Sequence, residues 1–301
     1  MTIRLMENFR AAFYAPYYAT HALGFYAREG VEVELMSSDA PGDAVPKLLD
    51  GTIDLTWGGP MRVLKAHDAD PRSQLVNFCE VVARDPFFLI GRAPAGPFVL
   101  SDLPQMRFAS VSEVPTPWLC LQHDLREHGI DPDRLQRISD RSMARNYDAL
   151  RAGEIDVMQA FEPFATLAER DRAGDVLYTA SARGPTVYTA FIATREAAAE
   201  RHGEFAAVAR ANSRMLRWLY SNPPEELATA VASFFPDIPG DVLAGSLRRY
   251  RDAGLWAREP TMSQIGFERL AQSLHSGGFI ARVASYDECV EASLNGINPG
   301  S

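Results

Sequence analysis

A short sequence pattern occurs twice in this chain. Residues 47–60 read KLLDGTIDLTWGGP, and residues 149–163 read ALRAGEIDVMQAFEP. Both copies place a Gly after a segment rich in Leu or Ala, continue through Ile-Asp into an apolar strand, and end at a Pro. A chain that repeats this pattern is predicted to contain two copies of one α/β unit. Within each copy, Asp54 or Asp156 is expected to hydrogen-bond backbone rather than to act in catalysis.

The segments around each copy alternate between strand and helix patterns. In the first copy, strands are predicted at residues 2–6, 31–38, 53–59 and 73–84, helices at 17–30 and 59–69, and a loop followed by a helix at 40–51. In the second copy, strands are predicted at residues 107–112, 134–140, 155–161 and 175–180, and helices at 116–129, 142–153 and 162–174. This order is typical of parallel sheets with helical crossovers.

Two apolar segments, residues 85–92 and 182–195, join the copies and are predicted to be crossover strands that form a hinge. Helix patterns dominate after residue 196. The fold class predicted is α/β with two lobes, each a mostly parallel sheet with helices on both faces. The first lobe is expected to comprise residues 1–88 and 190–301, including a helical C-terminal tail, and the second lobe residues 89–189.

Charge and length limit the possible functions. A chain of 301 residues is long enough for two lobes with separate cores. Its net charge of −9 argues against nucleic-acid binding, which needs a basic surface. The three cysteines are isolated in apolar surroundings and are expected to be buried thiols, not metal ligands. No membrane span, metal or cofactor is predicted.

The beginning of the chain, MTIRLMENFR, lacks the apolar core of a secretory signal. The protein is therefore expected to be cytoplasmic if Met1 is the native start, and periplasmic if a leader has been removed.

Several stretches resemble one family of binding proteins. They are APYYATHALGFYAREGVEVEL, LLDGTIDLTWGGP, ALRAGEIDVMQAFEPF, MLRWLYSNPPEELA and GLWAREPTMSQIGFERLAQSLHSGGFI. With the element order, they resemble the type II periplasmic solute-binding proteins, in the branch of the thiamine-pyrimidine precursor, sulfonate and nitrate binding proteins. The resemblance implies capture of a small molecule between the lobes by hinge closure. It also implies an ABC permease as a partner and action as a monomer.

The ligand is expected to lie at the carboxyl ends of the strands of both sheets, because ligands of open α/β sheets bind there. The candidate ligand-binding residues are those in the loops at these ends. They are Asn8, Phe9, Tyr14, Tyr17, Trp57, Gly58, Gly59, Ser110, Ser112, Glu113, Thr116, Trp118, Phe161, Glu162, Gly184 and Thr186.

Two acids among these candidates bear on the class of ligand. Glu113 and Glu162 would repel a sulfonate or nitrate, whereas carboxylates beside flat aromatic walls suit a ring that carries amino groups. The sequence therefore favours a heteroaromatic amine of the thiamine-pyrimidine kind. A sulfonate or nitrate ligand remains an alternative.

A second alternative is a cytosolic enzyme on the same fold. The fungal pyrimidine synthase carries a Cys-rich motif, and the related desulfinases carry a Cys in the loop after the first strand. The corresponding loop here, ENFRAAFYAP, has no Cys. Catalytic residues are therefore not predicted, because the nucleophile that such chemistry needs is missing from that loop.

Overall fold

A computed structural model describes residues 2–38, 40–92 and 96–294 of the chain. The strands are β1 Ile3–Met6, β2 Val33–Met36, β3 Leu55–Gly58, β4 Leu75–Val82, β5 Phe88–Gly91, β6 Arg107–Ala109, β7 Gln136–Ile138, β8 Val157–Ala160, β9 Asp175–Thr179 and β10 Thr189–Thr194. The helices are α1 Ala15–Ala22, α2 Phe25–Arg28, α3 Ala44–Leu49, α4 Met61–Ala69, α5 Thr116–Glu127, α6 Met143–Ala152, α7 Phe164–Arg170, α8 Arg195–Glu200, α9 His202–Ser221, α10 Pro224–Val231, α11 Gly240–Asp252, α12 Gln264–Ser276 and α13 Tyr286–Cys289.

The strands of this part of the chain form two five-stranded sheets. The first has the order β2-β1-β3-β10-β4 and the second the order β7-β6-β8-β5-β9. This architecture confirms the predicted two-lobed α/β fold. Each sheet also receives one strand from the crossover that enters it. Strands β5 and β10 run antiparallel to both of their neighbours, so each sheet is mixed around its crossover strand.

The repeated pattern builds the same structure in both lobes. Asp54 accepts hydrogen bonds from the backbone N–H of Arg4, at 2.7 Å, and from the guanidinium of the same residue. Asp156 accepts the same set from Arg107, with 2.8 Å to the backbone nitrogen. In both lobes the guanidinium also donates to the carbonyl of the Gly that ends the preceding helix. The Asp of the pattern thus ties the third strand of each unit to the first.

Both of these helix-ending glycines, Gly51 and Gly153, have a φ of +75°. A side chain with a Cβ rarely adopts this conformation, which explains why the pattern places Gly at this point.

The helical tail contacts both lobes. Helix α9 packs on α1 and α2 of the first lobe, whereas α11 packs on α7 of the second. Helix α12 packs on α4 and on α5, so it spans the two lobes. The division of the chain at residues 88/89 and 189/190 stays a prediction.

Two segments differ from the helices expected. The helix predicted over residues 17–30 is two helices, because Gly24 adopts a left-handed conformation between α1 and α2. Residues 286–294, YDECVEASL, are expected to form the last helix of the tail but form only α13 and a 3₁₀ turn at Ala292–Leu294. No helix in the described ranges is long and apolar enough to cross a membrane.

Candidate functional site

A small cavity lies where the carboxyl ends of strands from both sheets meet. Its volume is about 30 Å³, room for about two water molecules. Its walls come from the loops after β1, β3 and β6 and from the two crossovers. This central cavity is lined by Asn8, Phe9, Phe13, Tyr14, Gly59, Met61, Arg62, Phe87, Val114, Thr116 and Tyr188.

The second crossover runs beside the end of β4, which leads into the first crossover, and one residue of each crossover lines this cavity. The backbone N–H of Thr186 donates to the carbonyl of Ala83 at 2.8 Å, and that of Tyr188 donates to Val82 at 2.8 Å. Phe87 and Tyr188, one from each crossover, bring their rings to 6.1 Å between centroids. The floor of the cavity is therefore built from the segments about which the lobes would rotate.

The guanidinium of Arg62 is the unusual group in this cavity. It belongs to the first turn of α4, and within the described ranges it makes neither an ion pair nor a hydrogen bond; its Nε is buried without a partner. Burial lowers the pKa of Arg62, although Tyr14 and Asp43 act in the opposite direction. Gly42 leaves it room, since an added Cβ there would lie 2.9 Å from Nη1.

The other polar groups of the cavity are neutral hydrogen-bonding groups. The side-chain amide of Asn8 donates to the hydroxyl of Tyr14 at 3.2 Å. Burial raises the pKa of Tyr14 to about 12, although the hydrogen bond from Asn8 lowers it, so the phenol keeps its proton at neutral pH. Thr116 lines the opposite wall at the start of α5.

Two helices begin at this cavity, α4 in the first lobe and α5 in the second. The first backbone N–H groups of a helix lack partners within the helix, and the helix dipole places partial positive charge at the same end. Together with Arg62, these two helix ends make the cavity electropositive and suit it to an anion.

Aromatic rings close the cavity across the interface between the lobes. Phe161 comes from the loop after β8, and its ring centroid lies 5.3 Å from that of Phe13, 5.3 Å from that of Phe87 and 6.4 Å from that of Phe9. These contacts join the first-strand loop of one lobe to the other lobe. They give the cavity an apolar wall opposite its charged group.

The sequence-predicted site residues fall into three groups. Asn8, Phe9, Tyr14, Gly59 and Thr116 line the central cavity. Phe161 packs on its aromatic wall, and Tyr17, Trp57 and Gly58 are buried around it. The rings of Tyr17 and Trp57 stack at 4.7 Å in the core. The remaining candidates, which make contacts elsewhere in the fold, are Ser110, Ser112, Glu113, Trp118, Glu162, Gly184 and Thr186.

Neither of the two acids lines the central cavity. Glu113 is exposed and accepts the backbone N–H of Met143 at 2.8 Å, at the start of α6. Glu162 is fully buried and accepts hydrogen bonds from Arg249, at 2.7 Å, and from Thr166. Both carboxylates are thus engaged within the protein, and the electrostatic reason for expecting an amino-bearing ligand is absent from this conformation.

Sequence reasoning missed six residues that line the central cavity. They are Phe13, Met61, Arg62, Phe87, Val114 and Tyr188. The sequence could have identified Arg62, because it lies two residues after the Gly-Gly-Pro that ends a predicted strand. This spacing places it in the first turn of a helix at the carboxyl edge of a sheet, where ligands bind. Phe87 and Tyr188 lie in the crossovers, and the sequence gives no sign that these segments line the cavity.

The sequence was compared with models of known protein families. The model of the NMT1/THI5-like family matches residues 12–226. The chain belongs to this family. In the NMT1/THI5-like chain described here, no group of His, Cys, Asp or Glu within the described residues could hold a metal ion.

Individual relatives of this NMT1/THI5-like protein are distant in sequence but match over most of their length. YtlA of Bacillus subtilis (strain 168), named as a candidate binding protein, is 21% identical over 294 residues, or 97% of this chain and 88% of YtlA. The periplasmic aliphatic sulphonate binding protein SsuA of Escherichia coli is similar in structure, with a TM-score of 0.77, 16% identity and coverage of 97% of this chain and 98% of SsuA.

A ligand-binding component of an ABC-type import system from Staphylococcus aureus, with zinc bound, has a TM-score of 0.73 and 17% identity, with coverage of 98% of this chain and 97% of the other. These likenesses confirm the periplasmic-binding-protein fold.

Proposed function

We propose that this protein is the solute-binding component of an ABC-type importer and that it captures a small organic anion in the central cavity. The family match and the fold support the binding role. The observation that carries the choice of ligand is Arg62, a cation without an ion-pair partner in the described ranges, at the start of α4 in a cavity that the start of α5 also lines. A ligand anion would supply the ion-pair partner that Arg62 lacks among the described residues.

The electrostatics weigh against the amino-heteroaromatic ligand that the sequence favoured. A cationic or amino-bearing ring would meet the guanidinium of Arg62 and the positive ends of two helices, and neither Glu113 nor Glu162 lines the cavity to offset them. A sulfonate or carboxylate instead gains charge-assisted hydrogen bonds. The aromatic wall favours an organic anion over a fully hydrated inorganic one, because rings offer apolar contact.

Binding needs a change of conformation. A cavity of about 30 Å³ has no room for an organic anion, so the lobes must part about the crossovers to admit it. Capture by such closure is the role of an importer's binding protein, which acts outside the cytoplasm and delivers its ligand to a permease.

The proposal is tested by calorimetry and thermal shift with methanesulfonate, benzenesulfonate, benzoate, nitrate and an aminopyrimidine. We expect an organic anion to bind, to raise the melting temperature and to be recovered unchanged. Arg62→Met should weaken its binding by about 10- to 100-fold, the size expected for losing a hydrogen bond to a charged group. Arg72→Met is the matched control, since that guanidinium is exposed on the surface.

Three outcomes would overturn the proposal. They are the failure of every anion to bind, tighter binding of the aminopyrimidine that is unaffected by Arg62→Met, and conversion of the ligand into a product. The last outcome would favour an enzyme on the same fold.

A further inference from the structure

A second concave region lies close to the central cavity. This distal hollow has a volume of about 200 Å³ and is formed by the first-strand loop, the loop after β8 and the loop between α10 and α11. It is lined by Arg10, Ala11, Ala12, Phe161, Glu162, Pro163, Phe234, Phe235, Pro236, Asp237 and Ile238.

One side chain of the distal hollow contacts the wall of the central cavity. Phe161 lines the hollow, and its ring makes T-shaped contacts with Phe13 and Phe87, which line the central cavity. The first-strand loop likewise lines the central cavity with Phe13 and the hollow with Ala12. Because Phe161 is buried between them, the two spaces join only if its side chain is displaced, and the parting of the lobes that ligand entry requires would free it to move.

The two spaces differ in how their arginines are paired. In the hollow, both oxygens of Glu7 bind the guanidinium of Arg10, at 2.8 and 2.9 Å, and the same guanidinium donates to the carbonyl of Phe234 at 2.7 Å. The buried acid of the hollow, Glu162, is paired with Arg249. These charges are already paired, whereas Arg62 in the central cavity has no ion pair within the part of the chain that the structure describes, and its Nε is buried without a partner there.

Apolar groups form much of the remaining wall of the hollow. They come from the tail loop, where Phe235 is buried, Phe234 and Ile238 are half-buried and Pro236 is exposed. A ligand group that entered here would gain mainly by removing apolar surface from water. The volume is sufficient for a ring or a short alkyl chain, since a cavity of about 150 Å³ binds benzene in another protein.

We propose that the distal hollow is a second subsite, which takes the apolar group of an amphipathic anion whose acid group binds Arg62. This inference rests on the proposed function and extends it, because it names the ligand as an acid with an alkyl or aryl substituent. In it, Phe161 is the movable partition between the site of the acid group and the site of the substituent.

The test measures dissociation constants for straight-chain 1-alkanesulfonates, from methyl to octyl, by calorimetry. Once the chain is long enough to pass Phe161, each added methylene should tighten binding about fourfold, from about 0.8 kcal/mol per buried methylene. Ile238→Ser should flatten this dependence and leave methanesulfonate binding within about twofold of wild type. Ile265→Ser is the matched control, because Ile265 is 68% exposed and lies outside both spaces.

If Ile238→Ser does not fold, Pro236→Asp on the exposed rim serves the same purpose, since a second carboxylate beside that of Asp237 further disfavours an apolar substituent. Arg62-dependent binding of methanesulfonate with no gain from longer chains would overturn the subsite and leave the proposed function standing. Equal losses in Ile238→Ser and Ile265→Ser at every chain length would also overturn it. Failure of all the sulfonates and of the other anions to bind would remove the proposed function and this inference together.

Discussion

Asp54 and Asp156 hold equivalent positions in the two lobes but have different surroundings. Each receives a backbone N–H and a guanidinium from the first strand of its unit. Asp54 also lies 3.0 Å from a guanidinium nitrogen of Arg201, and its side chain is 12% exposed, against 33% for Asp156. The Asp of the repeated pattern is thus more deeply buried in the first lobe than in the second.

This difference predicts unequal effects of removing the two carboxylates. We expect Asp156→Asn to lower the free energy of unfolding by about 1 kcal/mol or less, because exposed ion pairs are weak. Asp54→Asn should cost about 1–3 kcal/mol, since it removes the charge that Asp54 places between the guanidinium groups of Arg4 and Arg201. Urea denaturation of both variants checks the order. Equal decreases in the free energy of unfolding would show that the additional contact with Arg201 does not stabilise the protein.

Arg62 is expected to reduce the stability of the protein without ligand. A partly buried guanidinium with no partner pays a desolvation cost, which is the cause of its lowered pKa. Arg62→Met should therefore raise the free energy of unfolding by about 1 kcal/mol while it weakens anion binding. Urea denaturation without ligand measures this directly. A destabilised Arg62→Met protein would show that the charge serves the fold rather than a ligand.

Glu80 in β4 is predicted to make stability depend on pH near neutrality. Burial raises the pKa of this carboxyl to about 7, although the backbone N–H of Ser263 hydrogen-bonds to it and lowers it. Between the ordinary value of 4.5 and about 7, the folded protein binds more protons than the unfolded chain, so the free energy of unfolding falls as the pH rises. Glu80→Gln should remove this slope.

The measurement is urea denaturation at several pH values from 5 to 8. Glu259→Gln is the control, because Glu259 is an exposed acid. A slope that is the same in wild type and in Glu80→Gln would contradict the assignment to Glu80.

A buried charge cluster beside the crossovers is expected to respond strongly to the loss of one member. Arg183 pairs with Asp85 of the first crossover and with Asp124 of α5, and all three side chains are almost completely buried. Asp85→Ala should lower the free energy of unfolding by about 3–5 kcal/mol, because it leaves an uncompensated charge in the interior. Thermal and urea denaturation would detect this loss. An effect below about 1 kcal/mol would show that water reaches the cluster.

Much of the fold could be predicted because the sequence alternates between helix and strand patterns, and because Gly51 and Gly153 punctuate both copies in the same way. The antiparallel insertion of β5 and β10 could not be predicted, since an apolar strand pattern carries no direction. The break at Gly24 was missed because periodicity continues on both sides of it.

The candidate site could be placed in part. Loop residues at strand ends, such as Asn8 and Thr116, line the central cavity, since topology alone brings these ends together. The direction in which a loop side chain points depends on tertiary packing. For this reason the sequence did not show that Trp57 is buried in the core or that Glu162 pairs with Arg249. That Arg62 has no ion-pair partner among residues 2–38, 40–92 and 96–294 is a property of its surroundings in space, and no spacing in the sequence encodes it.

The position of β10 in the first sheet determines the order in which the two sheets can form during synthesis. Strand β4 is buried along its whole length and pairs along that length with β10, which a ribosome delivers 112 residues later. At about 5–20 residues per second, β4 waits roughly 6 to 20 seconds for its partner. The strands of the second sheet all lie within Phe88–Thr179, so that sheet can close during the wait. The second sheet can thus form during synthesis before the first sheet is complete. Until β10 pairs with it, the apolar strand β4 is exposed, and this is the segment that a chaperone would bind.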